Sequence, residues 1–145
     1  MTAAEYLSQI RKLEAKRRVV IREIEAMRAE RSGVALKMDG VPHAARISDT
    51  TGNLAAKLAD KENELEELSH LYWYQRSKIV NMILAMDLPP EQVHYIEILQ
   101  LRYVEGLTGL ETADRMGYAY RWTQTLQQRA LEAFAKQYKD VLQDG

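Results

Sequence analysis

The 145-residue sequence predicts an all-α fold: a long antiparallel helical hairpin, coiled-coil-like, followed by a unit of three shorter helices. Three observations lead to this prediction. Apolar residues recur at heptad spacing over two long stretches, which is the pattern of helices that pack side by side. A pair of prolines then interrupts the chain. After them come three helical segments whose connections contain glycine, a residue that commonly ends helices.

The first helix is predicted from about residue 2 to residue 31. Its apolar seam consists of Tyr6, Ile10, Leu13, Val20, Ile24 and Met27. Arg17 and Arg31 occupy the remaining seam positions. Because an arginine in a seam needs a carboxylate partner or access to water, a packed partner helix fits better than a long isolated dimeric coiled coil.

The second helix is predicted to begin at Ser48 or Asn53 and to end at Met86. Its seam is Leu54, Leu58, Leu65, Leu68, Tyr72, Ile79, Met82 and Met86, interrupted by Lys61 and Gln75. Two long helices in sequence can bury both seams as an antiparallel hairpin. Residues 1–88 are therefore predicted to form this hairpin, with a long loop over 32–53 that contains three glycines, a proline and His43.

Two charged runs raise an alternative about how the hairpin is held. The basic run KRRVVIR lies on the first helix and the acidic run DKENELEEL on the second. In an antiparallel register the two runs can face each other as ion pairs, or each can form a solvated surface. The nearby aromatic segment HLYWYQR, residues 70–76, is predicted to pack within the hairpin because its rings point in three directions on a helix.

Pro89 and Pro90 end the second helix, because proline has no N–H to donate and disfavours helical angles in the residue before it. Residues 89–145 are predicted to form a separate domain. Its first helix, EQVHYIEILQLRYVE, is apolar around more than half of its circumference and ends at Gly106.

The next two helices have the pattern of a helix-turn-helix motif. Thr108 and Glu111 form a predicted capping box, and Leu110, Ala113 and Met116 are expected on one packed face. Gly117 supplies the turn. The third helix is predicted to begin at Ala119 or Tyr120 and to run to about Leu142.

Helical spacing divides the third helix into two faces. Thr123, Leu126, Ala130, Phe134 and Tyr138 form the predicted packing face, and Trp122 is expected at its edge, covering the seam between helices. Arg121, Thr125 and Gln128 point the opposite way, with Gln124 and Arg129 on the flanks. These side chains can bond to base edges and phosphates. Tyr118 and Tyr120, at the turn, can reach a phosphate or close the core.

The distribution of charge bears on whether the protein binds nucleic acid and how strongly. The whole chain carries a net charge of -1. Residues 91–145 have six Lys/Arg against eight Asp/Glu, a net charge of -2, whereas residues 119–139 have four basic residues against one acidic, a net charge of +3. The sequence therefore predicts weak, salt-sensitive DNA binding by a monomer, so that tight binding requires a homodimer or a helper protein.

The segment LQLRYVEGLTGLETADRMGYAYRWTQTLQQRAL resembles region four of sigma-70-type transcription factors. The whole chain also resembles small sigma-like regulators carried by phages and integrative elements of Gram-positive bacteria. The resemblance implies that positions matching Tyr120, Arg121, Gln124 and Thr125 read the upstream promoter element. The sigma pattern has bulky apolar residues where this chain has Gly109, Thr112 and Thr123. A glycine in the middle of a helix costs roughly 1 kcal/mol relative to alanine, and a buried threonine needs a partner for its hydroxyl. Two of the usual reading positions are also not basic here, so the sigma DNA sequence preference is not carried over to this chain. No segment similar to sigma region two is present.

Together these observations predict a phage-type transcriptional regulator that binds duplex DNA through Tyr120, Arg121, Gln124, Thr125, Gln128 and Arg129. The hairpin would serve dimerisation or contact RNA polymerase. Two alternatives stay open: a module that docks on RNA polymerase or another phage protein without touching DNA, and a packaging protein of the small-terminase type.

Other classes of function find little support in the sequence. The three histidines, His43, His70 and His94, are scattered and cysteine is absent, so no enzyme, metal site or cofactor is expected. No apolar run approaches the roughly 20 residues of a membrane span, and the N-terminal residues do not resemble a secretory signal. A cytoplasmic protein without membrane association is therefore expected.

Overall fold

A computed structural model describes residues 1–32 and 44–144, with the backbone alone for 44–51. Its helices are α1 (Ala3–Leu7), α2 (Gln9–Arg31), α3 (Ala44–Leu84), α4 (His94–Leu99), α5 (Gly109–Met116), α6 (Tyr120–Gln137) and α7 (Lys139–Asp144). A 3-10 turn, Pro90–Gln92, precedes α4, and α4 continues into a π-helical segment, Gln100–Val104. Within these described ranges there is no strand, which confirms the all-α prediction.

Helix boundaries differ from those predicted at several places. The first predicted helix is divided at Ser8 into α1 and α2. α3 begins at Ala44, inside the segment 32–53 that was expected to be a loop. The stretch AARISDTTGN contains no proline, and a single glycine costs a helix only about 1 kcal/mol relative to alanine. Residues 33–43, which include His43, lie outside the described residues.

The last helix is divided where one continuous helix was expected. α6 ends at Gln137, and Tyr138 has φ -108° and ψ 35°, outside the helical range. The Tyr138 hydroxyl donates a hydrogen bond of 2.5 Å to the backbone carbonyl of Met82. This tertiary bond is formed at the residue where the helical angles are lost, and α7 follows directly.

The chain packs as two compact units. The smaller unit is residues 13–71, and the larger unit combines Met1–Lys12 with Tyr72–Gly145. These packing units do not coincide with the division into 1–88 and 89–145, which stays a prediction about functional domains.

In the smaller unit, α2 and α3 pack in opposite directions around a short apolar core. The buried side chains are Val20, Ile24 and Leu58, with Met27, Leu65 and Leu68 packed against them. Polar contacts between the two helices include Arg17 Nε to Ser69 Oγ at 3.1 Å, Lys61 to Glu23 at 2.8 Å and Arg28 to Glu62 at 3.7 Å. Arg17, the earliest of these residues on α2, contacts the latest on α3, Ser69, whereas Glu23 and Arg28 contact residues 61 and 62, which is the antiparallel order.

Lys61 shows how a polar residue is accommodated in the seam. Its ammonium group lies 2.8 Å from Glu23 and 3.1 Å from Glu64, and these hydrogen bonds raise the pKa of Lys61. Lys61 itself belongs to the acidic run, and in the ion pair with Glu62 the basic residue, Arg28, lies outside the basic run. Neither of these ion pairs therefore joins the basic run to the acidic run, and the pairing of the two runs stays a prediction.

The larger unit is built around the end of α3, α4 and α6. Its large apolar side chains with almost no exposure come from the N-terminal residues and from each of these helices: Leu7, Ile10, Ile79, Ile83, Ile98, Leu99, Leu126 and Phe134. α6 packs against α4, α5 and α1. The buried residues of α6 lie along one face, and residues on its opposite face are exposed.

The aromatic segment on α3 only partly matches its prediction. Tyr72 is buried, as expected of a packing residue, but Trp73 is 54% exposed and Tyr74 is 66% exposed. The guanidinium of Arg76 lies 5.5 Å from the centre of the Trp73 ring. The prediction that this segment packs inside is therefore wrong for Trp73 and Tyr74, because the buried face of α3 admits only one of the three rings.

Candidate nucleic-acid interface

α5 begins with the predicted capping box. The Thr108 hydroxyl accepts a hydrogen bond from the Glu111 backbone N–H at 3.1 Å, and the Glu111 carboxylate accepts one from the Thr108 backbone N–H at 3.0 Å. The backbone hydrogen bond from Thr108 is the main reason why the pKa of Glu111 lies below its usual value. Two backbone donors that a helix start leaves free are thus satisfied, which fixes where α5 begins.

The turn between α5 and α6 depends on Gly117. Its φ of 73° is left-handed, a conformation that glycine adopts without steric strain. The Tyr118 N–H bonds to the Ala113 carbonyl at 3.0 Å and the Gly117 N–H to the Asp114 carbonyl at 3.2 Å. This pair of bonds is the Schellman arrangement, which closes α5 and lets α6 begin three residues later.

The face of α6 that was predicted to pack does so. Thr123, Leu126, Ala130 and Phe134 are buried and Leu131 joins them. All six candidate site residues are exposed, and they lie within ten consecutive positions of the same helix: Tyr120, Arg121, Gln124, Thr125, Gln128 and Arg129. The structure therefore brings these six side chains together at one surface.

Several of these side chains interact with one another or with the helix. Gln124 Nε2 donates to the Tyr120 hydroxyl at 2.8 Å, and Thr125 Oγ1 donates to the Arg121 carbonyl at 3.2 Å. The Arg129 guanidinium lies 5.3 Å from the centre of the Trp122 ring, within the range of a cation–π contact. The surface is thus partly ordered before any ligand binds.

The glycine and threonines that depart from the sigma pattern have specific roles. Gly109 is the first residue of α5, so the cost of a mid-helix glycine expected from the sequence does not apply. A Cβ at this position would lie 2.9 Å from Cε2 of Tyr120, so a larger residue would displace that ring. The buried hydroxyls of Thr112 and Thr123 donate to the carbonyls of Thr108 and Ala119, at 2.8 and 3.0 Å.

One predicted packing residue lies at the surface instead. Leu110 is 67% exposed, and the buried positions of α5 are Thr112 and Ala113, with Met116 half-buried beside them. At about 100° per residue, Leu110 lies roughly 110° from the centre of that face. Trp122, expected to cover a seam, is exposed over nearly half of its surface.

The side chains that connect α6 to the preceding helical segment were not among the predicted residues. Arg102 Nε donates to Gln127 Oε1 at 2.9 Å, and Gln127 Nε2 donates to the Tyr103 hydroxyl at 3.1 Å. A second nitrogen of Arg102 donates to the Leu107 carbonyl at 2.5 Å. One guanidinium therefore ties α6 to the segment before α5. The sequence contains one indication of this contact. Gln127 is an amide at a position between the apolar and the exposed face of α6, where a hydrogen-bonding partner is expected.

The charge of the α6 surface is positive. Arg121, Arg129, Lys136 and Lys139 are all exposed. Within the described ranges, no group of three or more His, Cys, Asp or Glu side chains is arranged to hold a metal ion, and no helix has the length and apolar character to cross a bilayer. The arrangement offers amide, hydroxyl and guanidinium groups on a helix, which is chemistry for hydrogen bonding to a polyanion.

No family model matches this chain, and comparisons with curated proteins and with solved structures find no match either.

Proposed function

We propose that this protein is a phage-type transcriptional regulator that binds duplex DNA. In this proposal α5, the Gly117 turn and α6 form a helix-turn-helix, and α2 with α3 form a helical hairpin. One observation carries the proposal: six side chains able to bond to bases and phosphates share the exposed surface of α6, while its other face is buried. The resemblance to sigma region four supports the same reading helix.

The dimensions and chemistry of α6 suit the major groove. An α-helix with its side chains is about 10–12 Å across, and the groove is about 12 Å wide. Arg121 can bond to guanine or phosphate, and Gln124 and Gln128 can bond to adenine. Thr125 already donates its hydroxyl proton to the helix, so its oxygen can accept a hydrogen bond from a base amino group.

Electrostatics set the expected strength of binding. Four basic side chains, those of two arginines and two lysines, are exposed on or next to α6. If each neutralises one phosphate, the affinity for DNA falls roughly hundred-fold when the salt concentration rises four-fold. Such binding is weak for a single copy. We therefore propose a cytoplasmic homodimer that presents two reading helices, or a monomer held on DNA by RNA polymerase, with the hairpin supplying the contact.

The first test is a titration of a labelled random duplex, followed by fluorescence anisotropy, with matched arginine variants. Arg121→Ala should weaken binding about five- to ten-fold, since a phosphate or base contact of arginine contributes about 1–1.5 kcal/mol. Arg22→Ala removes an exposed arginine from the smaller unit and should change nothing. Equal affinity of wild type and Arg121→Ala, with unchanged helicity, would contradict the assignment of α6.

A second candidate function is docking on RNA polymerase or another phage protein without DNA contact. It is favoured by an open groove of about 590 Å³ in the larger unit, lined in part by the exposed apolar side chains of Leu84 and Val93. Gln100 also lines it, and its Oε1 is buried without a hydrogen-bond partner among the described residues. Salt separates the two candidates, because docking on an apolar groove should change little with salt.

A further inference from the structure

We infer that Tyr120 is a positioning residue that holds the Gln124 amide ready for an adenine in the major groove, and that Gly109 makes this arrangement possible. The inference rests on the proposed DNA-binding function and deepens it, because it names a base that the protein selects. It connects two residues that are neighbours by helical spacing on α6 with a third, the first residue of α5, that spacing does not bring to them.

The Tyr120 ring lies against Gly109 at the start of α5. A Cβ built on Gly109 would lie 2.9 Å from Cε2 of this ring and 3.7 Å from both Cζ and the hydroxyl oxygen. A distance of 2.9 Å between carbons is well inside van der Waals contact, so any other residue at 109 would push the ring away. Glycine therefore lets one edge of an otherwise half-exposed ring rest against the start of α5.

Gln124 forms a hydrogen bond with Tyr120. Its Nε2 donates to the Tyr120 hydroxyl oxygen at 2.8 Å, across one helical turn. An exposed glutamine without such a partner samples several rotamers. Here the tyrosine ring, itself located by Gly109, holds the amide in place with Nε2 toward the hydroxyl oxygen.

The Gln124 amide keeps one donor and one acceptor for a DNA base. The second hydrogen on Nε2 and the carbonyl oxygen Oε1 remain free to bond. Adenine presents an acceptor, N7, and a donor, the N6 amino group, side by side in the major groove, and this pair matches a glutamine amide. Guanine presents two acceptors at the same places, so Oε1 would face O6 without a proton between them. The held amide should thus favour adenine over guanine.

The test compares base discrimination rather than affinity alone. A preferred duplex is first selected with the wild-type protein from a random pool. Binding is then measured by anisotropy to this duplex, to duplexes with each other base pair at every adenine position, and to 7-deazaadenine duplexes that lack N7. The variants are Tyr120→Phe, which keeps the ring and removes the acceptor oxygen, Gly109→Ala, Gln124→Ala and the double variant Y120F/Q124A.

We expect wild type to prefer adenine at one position by roughly ten-fold or more, a preference that Gln124→Ala abolishes. Tyr120→Phe and Gly109→Ala should each reduce the preference several-fold at the same position. In the Gln124→Ala background, Tyr120→Phe should have no further effect on discrimination, which a purely structural role for the tyrosine does not predict.

The outcomes separate this inference from the proposed function. If wild type binds duplex DNA but Tyr120→Phe discriminates as wild type does, the positioning role is refuted and DNA binding stands. If Gln124→Ala leaves every adenine preference intact, the assignment of the base contact is refuted. If wild type binds no duplex even at low salt, the proposed function fails and the inference fails with it. Should Gly109→Ala unfold the larger unit, Tyr120→Phe decides alone.

Discussion

The sign of φ at two glycines allows a sharp prediction about stability. Gly117 has a φ of 73°, whereas Gly52 lies within the helix α3. A Cβ added at either position meets no atom within 4 Å. Replacing each glycine with alanine therefore changes nothing by steric contact, and the two variants differ only in the backbone conformation that the new residue must adopt.

The expected effects have opposite signs. A left-handed conformation costs a residue other than glycine about 1–2 kcal/mol, partly offset by the roughly 0.4–1 kcal/mol gained when alanine restricts the unfolded chain. Gly117→Ala should therefore lower the free energy of unfolding by about 1 kcal/mol. Gly52→Ala should raise it by about 0.5–1 kcal/mol, the helix preference of alanine over glycine.

The assay is urea unfolding, followed by circular dichroism and by tryptophan fluorescence. Gly117 belongs to the larger unit and Gly52 to the smaller. If the units unfold in separate transitions, each variant should move only its own midpoint. Gly117→Asn serves as a control, because asparagine tolerates left-handed angles better than alanine and should recover part of the loss. A Gly117→Ala protein as stable as wild type would refute the argument.

Two further predictions concern the supports of the reading helix. Arg102→Met should lower the free energy of unfolding by about 2–3 kcal/mol in urea titrations, because hydrogen bonds to a charged group contribute about 1.5–3 kcal/mol and Gln127 Oε1 loses its donor. A change below about 0.5 kcal/mol would show that the network contributes little. Glu111→Gln should lower the free energy of unfolding at neutral pH but not in acid. Hydrogen bonds from Thr108 hold the folded-state pKa of Glu111 below its ordinary value of 4.5. The carboxylate therefore stabilises the fold above that pH, and this stabilisation is lost as the pH falls through the folded-state pKa. Unfolding curves of both proteins across this pH range should converge on the acid side, and a constant difference would contradict the assignment.

The sequence by itself determined the all-α class and the positions of one helix start and one turn. Periodic apolar residues select a helix face without knowledge of the partner, and the face of α6 from Thr123 to Phe134 was found in this way. Capping at Thr108 and the turn at Gly117 also depend on bonds within a few residues. Because these interactions are local, their signals are present in the order of residues.

Only the tertiary structure decided which side chains meet. Gly109 looked like a weakness in a helix until the Tyr120 ring was found against it. The break after α6 coincides with the bond of Tyr138 to Met82, and Arg102 reaches Gln127 from a distant part of the chain. Periodicity gives the direction of a side chain around its own helix. It does not give the neighbour in that direction, because the neighbour is set by the packing of the whole unit.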